Sequence, residues 1–272
     1  MLSKWKSSSS LVKRHVVAII VLPLLIVYVF YLPPIPYFLA LMTIVCIIAM
    51  WEFFAMYKVP AKLSVPCVFI GGAFFYLVCR YPSFLAAIIF AGIFLLMLIR
   101  LLVIKSPSGC MSALGPLGIG FVYIAVFLSF QWFLRSEAYG LEYISLLYAS
   151  VWLSDSMAFY VGSTLGRKKL YPEVSPNKTM EGAAGSLLGG AAGALIVKLI
   201  LDIPDLSVGG AAALGVVMGI SALTGDLIES MFKRDAGVKD SGSLLPGHGG
   251  ILDKLDGLLV SGPVLFLFVR YF

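Results

Sequence analysis

Long apolar runs separated by short polar segments dominate this chain. The runs last roughly 17 to 25 residues, the length that a helix needs to cross the hydrocarbon core of a bilayer. They lack the two-residue alternation of a membrane-spanning β-strand, and a helix satisfies its own backbone hydrogen bonds in lipid. The pattern predicts about nine membrane-spanning helices, near residues 16–32, 36–57, 63–79, 84–104, 111–134, 141–163, 183–201, 208–225 and 251–271.

The composition fits this pattern. Hydrophobic residues make up 60% of the 272 positions, charged residues only 12%, and the mean hydropathy is +1.00. A soluble core of this size could not bury so much apolar surface. We therefore predict an all-α, polytopic integral membrane protein with a single membrane domain. Residues 1–140 would supply about five helices, and residues 141–272 would form the catalytic region.

Basic residues precede the first apolar run, as they do in a secretory signal peptide. No small-residue cleavage site follows the run, so we expect a retained signal anchor and a mature chain that starts near Met1. Positive residues are retained on the cytoplasmic side, and a cytoplasmic N-terminus leaves few of them outside, namely Arg80, Arg135, Lys198 and Arg270. We expect a multi-pass protein of the cell (inner or plasma) membrane, with its N-terminus and a polar active site facing the cytoplasm.

The net charge of +6 does not indicate a nucleic-acid partner, because the basic residues flank the apolar runs. The lipid bilayer, with its anionic headgroups, is the better partner. The cysteines lie in or beside apolar runs without C-x-x-C spacing, so we expect packing residues rather than disulfides or a zinc site. They are Cys46, Cys67, Cys79 and Cys110.

Few charges interrupt the apolar runs of the first half. Glu52 and Arg100 lie near predicted cytoplasmic helix ends, where we expect their side chains to snorkel toward water. In the second half, glycines recur at steps of three and four residues in the runs at 183–201 and 208–225. Small residues at this spacing allow close helix contact. The contact is either purely structural or a means of placing Asp226 rigidly against a partner helix.

The segment 225–256 concentrates the ionisable residues between two apolar runs. It holds six of the chain's 14 carboxylates, together with His248. Such groups are costly at bilayer depth unless they are paired, hydrated or bound to an ion. Asp226 and Glu229 are three residues apart, so a helix would present both on one face with Lys233.

Asp253 and Asp256 repeat this three-residue spacing at the start of the last run. Carboxylate pairs at two helix ends can converge on a hard cation, for which Mg²⁺ is the natural candidate. The alternative is that the carboxylates pair at a solvated boundary with nearby cations, namely Lys233, Arg234, Lys239 and Lys254.

Two polar loops offer groups for phosphate. Glycines between residues 237 and 250 free the backbone for cradling a phosphate by amide groups, and His248 among them is either a ligand or a bland loop residue. In the other loop, residues 175–179 are a candidate helix start whose amide end would attract phosphate. Neither loop has P-loop spacing. Asp155, inside the sixth run, either faces the same site or joins an interhelical hydrogen bond with its serine neighbours.

The C-terminal half of the chain resembles the phosphatidate cytidylyltransferases, the CDP-diacylglycerol synthases. The signature lies in SMFKR at 230–234, KDSG at 239–242, LPGHGGILD at 245–253, and Asp256. Supporting segments occur in the expected order at 155–160, 166–167, 175–182 and 225–227. Lys254 departs from the arginine that is usual in the family, which keeps the charge but loses bidentate geometry.

The resemblance implies a helical membrane fold, a homodimer, and transfer of the cytidylyl group of CTP to phosphatidic acid with Mg²⁺ as cofactor, a second cation being left open. It assigns Asp226 and Asp253 to metal binding and catalysis, with Asp256 and Glu229 as further candidate ligands. Lys233 joins the catalytic set. The residues implied in substrate binding are Ser175, Lys178, Thr179, Arg234, Lys239, Asp240 and His248.

Two other functions stay open. A CTP-dependent lipid kinase needs the same metal and phosphate groups but transfers the γ-phosphoryl group. A transporter of anionic metabolites would use intramembrane charges without a metal cluster and would show related halves with paired broken helices, whereas no internal repeat is evident in this chain.

Overall fold

A computed structural model describes residues 27–201, 203, 206–244 and 249–271. Seven helical stretches in this part of the chain are long and apolar enough to cross a membrane. They are Pro34–Met56, Ala61–Arg80, Pro82–Val103, Cys110–Ser136, Gly140–Leu165, Met180–Leu201 and Val208–Asp235. Each matches one of the predicted runs from the second to the eighth, so the all-α, polytopic membrane fold is confirmed. Most of the first predicted run lies outside the described residues.

The helices are α1 (Leu39–Met56), α2 (Ala61–Arg80), α3 (Leu85–Val103), α4 (Cys110–Gly120), α5 (Phe127–Ser136), α6 (Gly140–Leu165), α7 (Met180–Leu201), α8 (Val208–Asp235) and α9 (Leu252–Tyr271). Short π-helical turns at Pro34–Phe38 and Phe121–Val126 precede α1 and α5. The ninth predicted run forms α9, which carries Asp253, Lys254 and Asp256 among its first five residues. The count of nine spans stays a prediction.

The chain divides into two compact units. The first comprises the described residues up to Val126 together with Asp240–Asp253, and the second comprises Phe127–Lys239 with the described residues from Lys254 onward. The predicted division of the membrane domain at residue 140 stays a prediction.

In the first unit, α1 packs closely on α2. A Cβ at Gly72 would lie 2.7 Å from Cγ1 of Ile47, so only glycine lets the helices approach this far. The expectation that Glu52 and Arg100 snorkel toward water is wrong, because both side chains are buried. The Arg100 guanidinium donates to the carbonyl oxygens of Ser106 and Ser108, both at 3.1 Å, and closes the C-terminal end of α3. Main-chain acceptors replace water around its charge.

In the second unit, α7 lies between α6 and α8 and contacts both through glycines. A Cβ at Gly193 would lie 2.6 Å from the carbonyl oxygen of Ala149 in α6. On the other face, a Cβ at Gly219 of α8 would lie 2.6 Å from the carbonyl oxygen of Ser186. These backbone contacts confirm the close helix packing that the glycine spacing predicts.

A two-stranded antiparallel hairpin joins α6 to α7. Strand β1 (Lys169–Tyr171) pairs with β2 (Ser175–Thr179), with Lys169 opposite Thr179. The expectation that residues 175–179 begin the following helix is therefore wrong, because they are extended and α7 starts at Met180. Thr179 nevertheless caps that helix, since its Oγ1 accepts a hydrogen bond from the Gly182 amide at 3.1 Å.

Candidate active site

The second unit contains a cavity of about 490 Å³ between α6, α7, α8 and strand β2. Its polar lining comes from all four elements: α6 supplies Asp155 and Ser163, β2 supplies Asn177, Lys178 and Thr179, α7 supplies Ser186, and α8 supplies Asp226. The glycine contacts of α7 hold the walls together without side chains that would fill the space. A carboxylate, an ammonium group and hydroxyls therefore meet in one open cavity.

An ion pair crosses this cavity. The Nζ atom of Lys178 lies 2.7 Å from Oδ2 of Asp226, and the two side chains are 18% and 36% exposed. The other carboxylate oxygen of Asp226 accepts a hydrogen bond from the Ser230 hydroxyl at 3.3 Å. The sequence places Lys178 and Asp226 in separate polar segments, and the fold of the second unit brings them into contact. Both side chains are partly exposed, although the Nζ atom of Lys178 is itself buried.

Asp155 lines the same cavity as Asp226, as one of the two interpretations of the sequence expects. The alternative interhelical bond is made by its neighbour instead, since the Ser154 hydroxyl lies 2.5 Å from the hydroxyl of Ser186. Ser186 in turn donates to the carbonyl oxygen of Gly219 at 3.1 Å, which links α6, α7 and α8. The two adjacent residues therefore have separate tasks, Ser154 in helix packing and Asp155 in the cavity.

Asp256 adds a further carboxylate to this region. The charges of Asp226, Glu229 and Asp155 all act on its carboxyl group. The close approach of α8 and α9 explains this, because a Cβ at Gly225 would lie 3.0 Å from Cα of Gly257. Two of these four carboxylates have a lysine partner, Asp226 with Lys178 and Glu229 with Lys233, while Asp155 and Asp256 add negative charge that a cation can compensate.

Lys233 and Glu229 form a second ion pair. Their Nζ and Oε2 atoms lie 2.6 Å apart, one helical turn apart on α8, and the Glu229 side chain is fully buried. For Glu229, this contact agrees with the alternative prediction that the carboxylates pair with nearby lysines. The predicted catalytic role of Lys233 stays a prediction.

Arg234 links the C-terminal end of α8 to the hairpin through a hydrogen bond. Its Nε donates to the carbonyl oxygen of Val174, in the hairpin turn, at 3.2 Å, and its Nη1 donates to that of Val238 at 3.4 Å. Half-buried Ser175 follows Val174 directly, whereas Lys239 is exposed in the segment after α8. The predicted phosphate contacts of these residues stay predictions, and the guanidinium already has main-chain partners.

The segment from Asp240 to Asp253 carries much of the family signature, and we call it the signature loop. Its described part belongs to the first unit. Its amides turn inward, because Ser241 and Gly250 donate to Oδ2 of Asp253 at 3.0 and 2.7 Å. Gly249 has a φ of +87°, a conformation that favours glycine, and this geometry lets the loop fold over the Asp253 carboxylate. These two amides are engaged by a side chain, and the expectation that loop amides cradle a phosphate stays a prediction. Asp240 is exposed, and His248 lies outside the described residues.

The sequence interpretation missed the role of Glu52, a residue of α1 that contacts this loop. Its carboxylate accepts hydrogen bonds from the amides of Ile251 and Leu252 at 3.0 and 2.9 Å. The only sequence signal was a carboxylate inside an apolar run, which is costly unless it has partners. The partners lie about 200 positions away along the chain, beyond the reach of any local pattern.

The donor chemistry of the second unit suits Mg²⁺, which prefers carboxylate oxygens. Within the described ranges, no three His, Cys, Asp or Glu side chains form a group that could hold a metal ion. Mg²⁺ is usually held by one or two carboxylates together with substrate phosphates and water, so it does not require such a group. Asp226 and Asp256 are two neighbouring carboxylates of the second unit and are candidates to hold Mg²⁺ in this way. The prediction that Asp226 and Asp253 share a cation stays a prediction.

Comparison with known proteins gives a consistent result. A model of the cytidylyltransferase family matches residues 12–272. A phosphatidate cytidylyltransferase of Staphylococcus epidermidis is 38% identical over 156 residues, which cover 57% of this chain and 56% of the relative. Phosphatidate cytidylyltransferases of Bacillus subtilis (39% over 162 residues, 57% of this chain and 59% of the relative) and Brucella abortus (43% over 136 residues, 50% of each) are also similar. The chain thus spans little more than half the length of the curated relatives that it matches.

Proposed function

The chain belongs to the cytidylyltransferase family, and we propose that it transfers the cytidylyl group of CTP to phosphatidic acid, with release of pyrophosphate. The observation that carries this proposal is the cavity of the second unit, in which Lys178 and Asp226 are paired at 2.7 Å beside Asp155. It offers a cation for phosphate oxygens and carboxylates for a metal, within helices that cross a membrane. The relatives named above supply the substrate class.

The reaction joins two polyanions, so its main obstacle is charge repulsion. An oxygen of the phosphatidate phosphate attacks the α-phosphorus of CTP and forms a new phosphorus–oxygen bond. The bond from the α-phosphorus to the oxygen that bridges to the β-phosphorus breaks, and pyrophosphate leaves with the electron pair. The lipid phosphate is already largely ionised near neutral pH, so no strong general base is needed. Positioning and charge compensation supply most of the catalysis.

Lys178 and the carboxylates have complementary tasks in this proposal. Lys178 holds a phosphate oxygen of the substrate and gives up part of its contact with Asp226 when the substrate binds. Asp226 and Asp256 would hold Mg²⁺, which would supply positive charge against the triphosphate and the departing pyrophosphate. Thr179 and Ser163 present hydroxyls to the same cavity.

Orientation and assembly are further parts of the proposal. We place the N-terminus and the cavity on the cytoplasmic side, because Lys and Arg concentrate in the loops on that side and CTP is a cytoplasmic metabolite. The homodimer that the resemblance implies stays a prediction, which cross-linking in native membranes would check.

Product analysis tests the proposed reaction. The full chain, purified in detergent, is incubated with phosphatidic acid, Mg²⁺ and CTP that carries label in either the α- or the γ-phosphate. Cytidylyl transfer moves the α-label into the lipid and releases pyrophosphate, whereas a lipid kinase moves the γ-label and releases CDP. A chelator is expected to abolish the transfer, and excess Mg²⁺ to restore it. Lipid labelled only from the γ-position, or not labelled at all, would overturn the proposal.

A matched pair of variants tests the site itself. Asp226→Asn is expected to lower kcat by about 100-fold or more, whereas Asp235→Asn, at the exposed end of the same helix, is expected to stay near the parent. Activity of Asp226→Asn within a few-fold of the parent would exclude the assigned role of this carboxylate.

A further inference from the structure

Glu52 is a buried carboxylate that the proposed reaction does not use. It lies in α1 with 6% of its surface exposed, yet the segment that it contacts comes near the other end of the chain. Its Oε1 accepts the amide of Ile251 at 3.0 Å, and its Oε2 accepts the amide of Leu252 at 2.9 Å. Both carboxylate oxygens are therefore engaged by the backbone just where α9 begins.

Two glycines of the loop make room for this carboxylate. A Cβ at Gly242 would lie 2.7 Å from Oε1 of Glu52, and a Cβ at Gly250 would lie 2.7 Å from its Cδ. Real Cβ atoms essentially never come this close to another heavy atom. The Glu52 side chain therefore explains on steric grounds why both positions are glycine, without any ligand.

Ser241 lies between Glu52 and Asp253. Its hydroxyl lies 2.9 Å from Oδ2 of Asp253 and 3.4 Å from Oε2 of Glu52. A hydroxyl has one proton, and the shorter distance assigns it to Asp253. Asp253 also accepts the amides of Ser241 and Gly250. One set of hydrogen bonds therefore sets both the path of the loop and the position of the Asp253 carboxylate.

We propose that Glu52 is a positioning residue for cytidylyl transfer. It holds the segment 249–253 and thereby orients the carboxylate of Asp253, a residue that the family resemblance assigns to metal binding and catalysis, without itself contacting substrate. This inference rests on the proposed function. A purely structural role of Glu52 would instead show as a general loss of stability, with no selective effect at this segment or on turnover.

Glu52→Gln is the informative substitution, because it keeps the shape of the side chain. Whichever way the amide is oriented, its nitrogen faces one of the two backbone donors and that hydrogen bond is lost. Hydrogen–deuterium exchange of the full chain in detergent, followed by mass spectrometry, reports directly on peptides that contain Ile251 and Leu252. The control is Glu137→Gln, the same substitution at a half-buried glutamate between α5 and α6.

We expect Glu52→Gln to exchange about tenfold faster at this segment, from the loss of a hydrogen bond to a charged group, with other peptides and the thermal midpoint close to those of the control. We expect kcat to fall about tenfold or more while KM for CTP stays within about twofold. Unchanged exchange at the segment would overturn the proposal, and so would faster exchange with parental kcat. If Glu52→Gln cannot be purified, Gly242→Ala displaces the same carboxylate and is expected to give the same selective exchange.

The two proposals fail in distinguishable ways. If the parent protein transfers no cytidylyl group, the proposed function is wrong whatever the exchange data show. If the parent is active and only the exchange at 249–253 is insensitive to Glu52→Gln, the inference about Glu52 is wrong and the proposed function is untouched.

Discussion

Replacement of Gly225 with alanine should separate α8 from α9 at the carboxylate cluster. A Cβ at this position would overlap the carbonyl oxygen of Asp256 and would lie 3.0 Å from both the carbonyl carbon of Asp256 and Cα of Gly257. Favourable carbon–carbon contacts are about 3.5–4.0 Å long, so the gap must open by about 0.5–1 Å. The neighbouring atoms belong to the backbone of a helix and cannot rotate away, so one helix has to shift.

The shift should cost more activity than stability. Overpacking of this kind costs about 1–3 kcal/mol, and alanine in a helix regains about 1 kcal/mol relative to glycine. The net destabilisation should therefore be at most about 2 kcal/mol. The same movement displaces Asp226 from Asp256, and a misplacement of about 1 Å in a catalytic arrangement can lower the rate about 100-fold.

Initial rates of CDP-diacylglycerol formation and thermal unfolding in detergent would measure both effects. Gly209→Ala is the control, because it lies in the same helix and a Cβ there meets no atom within 4 Å. We expect Gly209→Ala to keep the parental rate and an equal or slightly higher unfolding midpoint. If Gly225→Ala matched Gly209→Ala in rate and in midpoint, the tight backbone contact and its link to catalysis would both be refuted.

Three further predictions follow from the second unit. Lys178→Met removes the cation from Asp226 and should lower kcat/KM for CTP about 100-fold; a steady-state value within a few-fold of the parent would contradict this. Gly193→Val places side-chain atoms against the backbone of Ala149 and should lower the free energy of unfolding by about 1–3 kcal/mol, so an unchanged unfolding midpoint would count against the close contact of α6 and α7. Arg234→Ala should free the hairpin turn and increase its cleavage in limited proteolysis, whereas a parental cleavage pattern would show that the hairpin does not depend on this guanidinium.

The helices could be predicted from the sequence because lipid leaves a spanning segment few alternatives. A backbone in hydrocarbon must satisfy its own hydrogen bonds, so each long apolar run becomes a helix whatever its neighbours are. The glycine spacing in the run at 183–201 was equally informative, since Gly193 and Gly189 act through local geometry. The end of α8 was less predictable, because its last turns, up to Asp235, are polar and extend beyond the apolar run.

The polar segments were harder to predict because their partners are chosen by the fold. Residues 175–179 carry a proline and hydroxyls that suit a helix start, but cross-strand pairing with 169–171 makes them extended. Lys178 and Asp226 were each recognisable as candidate site residues. Their direct contact was not, since no spacing rule relates a strand residue to a helix residue 48 positions later.

For the signature loop, glycine composition does not predict which groups the backbone amides bind. Its glycines predict a backbone that cradles phosphate, and several of its amides do bind anionic oxygens, which belong to Glu52 and Asp253. Glycine composition indicates that some anion approaches the backbone closely; it does not say whether that anion is a ligand or a side chain of the same protein. The amides of Gly250, Ile251 and Leu252 bind the carboxylates of Asp253 and Glu52, so among the described groups Lys178 is a better candidate for phosphate binding than these three amides. Substitutions of Lys178 should therefore affect CTP binding more strongly than substitutions that merely stiffen the loop.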